Sequence, residues 1–190
     1  MTPPVKFIFL ILPNLHLLDL AGPDQTILES IEYGANFEME YCGIDETPAT
    51  SAGLQLKKQN HFSKVKLKKG DFIIIPGSSV QYILSDEFKV HTDLLNWIRT
   101  AYDQQEVNLV SICAGAFVLA QAGVLDGKQC TTHFKRTAQL QSLFPSIQVV
   151  EDVLFVEQDR IYSSAGIISG IDLMLCIIEK LTDSYFVHKV

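Results

Sequence analysis

Three short runs of almost unbroken apolar residues stand out along the chain: VKFIFLIL at residues 5–12, FIII at 72–75 and VNLVSI at 107–112. Turn formers follow the first two, Pro13 with Asn14 and Pro76 with Gly77 and Ser78. Runs of this length without polar alternation predict strands covered on both faces, as in the middle of a parallel sheet. Helical spacing fills the intervals. Pro23 suits the first position of a helix running to about Tyr33, which leaves Asp19 in the turn between that helix and the first strand. Phe37 to Ile44 predicts a second strand. Residues 47–62 read as a polar excursion with nothing to say about chemistry, and Asp86 to Tyr102 as one helix with Phe88, Val90, Leu94, Leu95 and Ile98 on its apolar face.

Beyond Gly127, KQCTTH predicts a short strand ending at His133, followed by a helix near Lys135 to Leu143 and strands near Gln148–Val150, Leu154–Glu157 and Arg160–Ser163. Ile167, Ile171, Met174, Leu175, Ile178 and Leu181 then recur on one face of a closing helix. Strands alternating with helices, without internal repeats, predict an α/β fold. The expected form is a doubly wound, mostly parallel sheet sandwiched by helices, one domain over residues 1–190, with ligands at the carboxyl ends of the strands.

The candidate chemistry centres on Ser111, Ile112, Cys113, Ala114 and Gly115. This is the small-x-nucleophile-x-small form of a nucleophile elbow, with Cys in place of Ser. A side chain pinned between a strand end and a helix start needs small neighbours two positions away. A thiol at a helix N-terminus should also be drawn toward thiolate by unpaired N–H groups. Taken alone, Cys113 reads equally well as a small buried hydrophobe. Asp19, Gly77 and His133 fall at the same predicted sheet edge. Each has a plain alternative as a helix cap, a turn or a backbone partner, and their convergence is what points to a reaction or binding site.

Composition narrows the partners. With 15 Lys and Arg against 22 Asp and Glu, the net charge is −7, and no basic cluster stands out beyond Lys64 to Lys69. Nucleic acid is not an expected partner of these residues. The four cysteines, Cys42, Cys113, Cys130 and Cys176, form no C-x-x-C pair and lie in or beside apolar runs, which predicts reduced thiols in the cytoplasm. No apolar run approaches the length of a membrane span. Neither metal nor cofactor is expected.

LLDLAGP, IIIPGS, SICAGAFVLAQAGVLDGKQCTTHF and SSAGIISGIDLMLCIIEKL together resemble the ThiJ/PfpI superfamily of class I glutamine amidotransferase-like proteins, which implies a flavodoxin-like fold. AGAFVLAQAGVLDGKQCTTHF, LFPSIQVVEDVLFV and SSAGIISGID resemble more closely the N-terminal domain of AraC-type transcriptional regulators. That resemblance implies a ligand-sensing, dimerising domain whose DNA contacts belong to a helix-turn-helix module. DSYFVHKV resembles the run into that module, so the chain reads as a fragment lacking it. Departures matter too. Protease-like members have His after the Cys and isonitrile hydratases have Thr, whereas this chain has Ala114, which argues against both chemistries. Redox or glyoxalase-like members have Ala there and a carboxylate near the thiol, which Asp19 supplies.

If the site is catalytic, Cys113 would attack an electrophilic carbon. The N–H groups of Gly77, Ser78 and Ala114 would hold the developing charge, and Asp19 or His133 would move protons. The enzymatic alternative is a Cys-dependent hydratase or hydrolase of the isonitrile hydratase or glyoxalase-like kind.

Overall fold

The computed structural model describes residues 3–44 and 47–190. A seven-stranded sheet is built from β1 (Val5–Ile11), β2 (Phe37–Gly43), β3 (Asn60–His61), β4 (Phe72–Ile75), β5 (Asn108–Ile112), β8 (Phe155–Gln158) and β9 (Ile161–Ser164), in the order β3-β2-β1-β4-β5-β9-β8. All neighbours pair parallel except β8 with β9, which are antiparallel at one edge. A separate two-stranded ladder joins β6 (Gln129–Cys130) and β7 (Gln148–Val149). The apolar runs explain the centre: Phe7 to Leu12, Phe72 to Ile75 and Leu109 to Ile112 are all buried. In this flavodoxin-like order, chain progression reverses between β1 and β4, and a crevice opens there at the strand ends.

The helices are α1 (Leu17–Glu32), α2 (Val80–Ile83), α3 (Asp86–Lys89), α4 (Thr92–Gln105), α5 (Ala116–Gln121), α6 (Thr137–Leu143), α7 (Ile167–Leu181) and α8 (Ser184–Val187). Two differ from expectation. α1 begins at Leu17, six residues before Pro23, so Asp19 lies in its first turn and Pro23 lies inside the helix. An interior proline forfeits a backbone hydrogen bond, and packing against α7 holds the helix regardless. Gly22 is close enough to Ile171 of α7 that a Cβ would meet its side chain at 2.8 Å. The expected helix over 86–102 is two helices, each with its own start: the Ser85 hydroxyl accepts from Phe88 N–H to cap α3, and the chain breaks at His91 before α4.

Candidate active site

Cys113 sits directly after β5, in a 3-10 turn spanning Cys113–Gly115 that leads into α5. Its φ is 55°, in the left-handed region that a non-glycine residue occupies only when its surroundings hold it there. Two contacts do so. A Cβ on Gly115 would lie 2.1 Å from the Ile75 carbonyl oxygen, so only glycine lets the turn press against the end of β4. The Thr132 hydroxyl donates to the Cys113 carbonyl at 2.7 Å, tying the turn to the segment after β6. Ser111, the other small elbow residue, is fully buried in register with Ile75 and Ser163.

Asp19 enters from the first turn of α1 and is 0% exposed, against 4% for Cys113. Gly77 packs against both, beside the Asp19 carboxylate and the Cβ of Cys113. Neither carboxylate oxygen has a hydrogen-bond partner among the described residues. The thiol and His16 Nδ1 lie close by, the latter 3.4 Å from Oδ2. A buried carboxylate with so few partners is costly to hold.

Burial first, and then the adjacent Asp19 charge, push the Cys113 thiol up to about 12, while the Ala114 amide and the more distant Arg136 act in the opposite direction. The sequence expectation of a thiol drawn toward thiolate is therefore corrected. α5 has six residues and its dipole is outweighed by desolvation and a neighbouring anion. His16, Asp19 and Cys113 offer N, O and S atoms within 4.8 Å of one another. A cation would find a donor set there only after that thiol loses its proton.

A cavity of about 460 Å³ opens over the thiol, with His16, Ser51, Ser79, Cys113, His133 and Arg136 among its lining residues. Its size lies within the range of small-molecule sites. His133 is half-buried, and burial and the Lys135 charge hold its imidazole below the usual histidine range, so it is neutral at pH 7. Its Nδ1 accepts the Lys135 amide at 3.3 Å, which assigns the ring hydrogen to Nε2. A ring so arranged donates into a site more readily than it abstracts a proton.

Cys113, Ala114 and His133 thus line the cavity, and Asp19 and Gly77 lie immediately behind the thiol. Ser78 does not line it. That residue is fully buried, and its hydroxyl donates to the Pro13 carbonyl. The sequence reading misses His16, Ser51, Gln81, Lys135 and Arg136. His16 carries the one readable signal, its spacing of three residues from Asp19, which puts both on one face once the helix is known to start at Leu17.

A model of the DJ-1/PfpI family matches residues 5–180. The chain belongs to the DJ-1/PfpI family. It is 33% identical over 175 residues to the isonitrile hydratase of Pseudomonas putida, covering 91% of this chain and 70% of that protein. It is 28% identical over 176 residues to the HTH-type transcriptional regulator CdhR of Pseudomonas aeruginosa, covering 92% of this chain and 50% of the regulator. The chain therefore spans half the length of that regulator. Among solved structures, an AraC family transcriptional regulator from Pseudomonas putida superposes with a TM-score of 0.80 at 19% identity, covering 97% of this chain and 96% of that one. Relatives in this family thus include both regulators and an enzyme. Among the described residues no helix is long and apolar enough to cross a membrane, and all four cysteines are free.

Proposed function

We propose that this chain is a ligand-sensing and dimerising domain of an AraC-type transcriptional regulator that works in the cytoplasm. DNA contacts would be made by a helix-turn-helix part outside the chain. The observation that carries this reading is a cavity of about 460 Å³ over a buried thiol, whose pKa burial and the Asp19 carboxylate push up to about 12. His133 lines the same space, with its ring hydrogen assigned to Nε2. Such a site is equipped to recognise a molecule and lacks a ready nucleophile. The match to CdhR over 92% of this chain supports the same reading.

The test uses the whole gene product on DNA from its own promoter, with fluorescence anisotropy read with and without small-molecule candidates. DNA affinity that changes with a ligand, and that loses its ligand response when the cavity is altered, is the expected result. A gene product with no affinity for that DNA overturns the reading.

A second reading has its own support. Asp19 lies beside Cys113, and the isonitrile hydratase is 33% identical over most of the chain. On that reading Asp19 takes the thiol proton and returns it to the isonitrile carbon as Cys113 adds there, giving a thioimidate. Water then adds to the same carbon and the carbon–sulfur bond breaks, releasing the N-substituted formamide and the free thiol. Steady multiple turnover of an alkyl isonitrile, abolished in Cys113→Ala, selects it.

A further inference from the structure

The cavity over Cys113 is lopsided in its hydrogen-bonding capacity. Lys135 and Arg136 both line it, and neither forms an ion pair with an acidic residue among the described residues. Arg136 gives one Nη to Gln139 at 3.0 Å, leaving the rest of its donor fork uncommitted. Lys135 lies over the exposed Phe134 ring, 5.6 Å from its centroid. The ring N–H of His133 adds a neutral donor. No acidic side chain is among the lining residues, because the carboxylate of Asp19 is sealed behind the thiol. In a protein of net charge −7, this wall of the cavity is locally cationic.

The segment carrying these donors is fixed to the thiol turn. Thr132 bonds the Cys113 carbonyl, Thr131 N–H donates to the Ser163 hydroxyl at 2.9 Å, and Arg136 N–H donates to the His133 carbonyl at 2.7 Å. The donors are therefore presented by a braced strand-to-helix connection. Apolar surface is available elsewhere in the same cavity, which Val80 and Ala114 also line.

We infer that the cavity takes a small organic anion, a carboxylate whose charged end lies against Arg136 and Lys135 and whose uncharged end lies over Cys113. A guanidinium fork matches the two oxygens of a carboxylate, and hydrogen bonds to charged groups are the stronger kind. This inference rests on reading the cavity as a ligand site. It holds for a sensor or for an enzyme, since either would select its ligand by charge.

The experiment is isothermal titration calorimetry on this chain with three matched series of four to six carbons: alkyl carboxylates, the corresponding primary amides and the corresponding protonated amines. Carboxylates should bind about tenfold or more tightly than amides of equal length, with no binding of the amines. Raising the chloride concentration should weaken carboxylate binding. Arg136→Gln and, separately, the exposed Lys135→Gln should each reduce the preference for carboxylates over amides by several-fold. Equal affinity for carboxylates and amides, preference for amines, or no binding by any carboxylate overturns the inference. The wild-type comparison stands even if Arg136→Gln fails to fold. A failure here would leave the DNA-binding test unaffected, and loss of DNA binding would leave this charge preference intact, so the two can fail separately.

Discussion

A methyl group on Gly77 would lie 2.2 Å from Asp19 Oδ2 and 3.1 Å from the Cβ of Cys113. The glycine after β4 is thus what allows a buried carboxylate and a thiol from two other elements to meet. Gly77→Ala should force one of them aside and cost about 1–3 kcal/mol, as overpacking of a tight site does. Urea denaturation monitored by fluorescence checks the stability. An unchanged midpoint would mean that the Asp19 carboxylate has room to move.

Asp19→Asn removes the anion beside the thiol and keeps the shape. Because that anion holds the Cys113 proton in place, the thiol should ionise at lower pH in the variant. A like charge at this range raises a pKa by about one unit or more. Iodoacetamide alkylation of Cys113 at pH 8, followed by mass spectrometry, should therefore speed up by about tenfold or more. A rate equal to wild type would show that burial alone sets the thiol's acidity.

The bond from Thr132 to the Cys113 carbonyl is buried and direct. Thr132→Val keeps the volume and strands that carbonyl, at a cost of about 1–3 kcal/mol. Hydrogen exchange should rise locally in residues 113–115 and 131–136. A drop in global stability without that local signature would count against the brace between the turn and the cavity wall.

Cys42, Cys113 and Cys130 are buried, and each thiol is pushed up to about 12, chiefly by burial. The folded protein keeps these protons to higher pH than the unfolded chain, whose thiols titrate near 8.5. Stability from this source is therefore complete below about pH 8.5 and is lost as pH rises toward 12, by up to about 1.4 kcal/mol per pH unit for each thiol. Cys130→Ala should make the decline of unfolding free energy between pH 9 and 11 shallower, whatever its effect at pH 7. An unchanged slope would remove Cys130 from this account.

The sheet was legible in the sequence because buried parallel strands are nearly pure apolar runs, and Phe7 to Leu12 and Phe72 to Ile75 are such runs. Cys113 and Asp19 were legible as well, one from the small residues two positions to either side and the other from its place after the first strand. Helix α1 was not, because Pro23 marks a local start and the true start depends on contact with α7. The cavity wall was hidden for a similar reason. Ser51, Gln81 and Arg136 come from the loop after β2, from α2 and from the connection before α6, far apart in the chain, and only the folded sheet order brings them around one sulfur.

Gly170 of α7 gives the site a reach beyond its own cavity. A Cβ there would lie 3.0 Å from Ile112, the residue before Cys113, and 3.7 Å from Pro23 of α1. The start of α7 is therefore wedged between the strand that carries the thiol and the helix that carries the carboxylate. A molecule that displaces Ile112 toward Gly170 would press on α7 at that point. With 15 residues, this helix is a lever roughly 22 Å long, and a slight tilt at Gly170 becomes a wider sweep at Leu181.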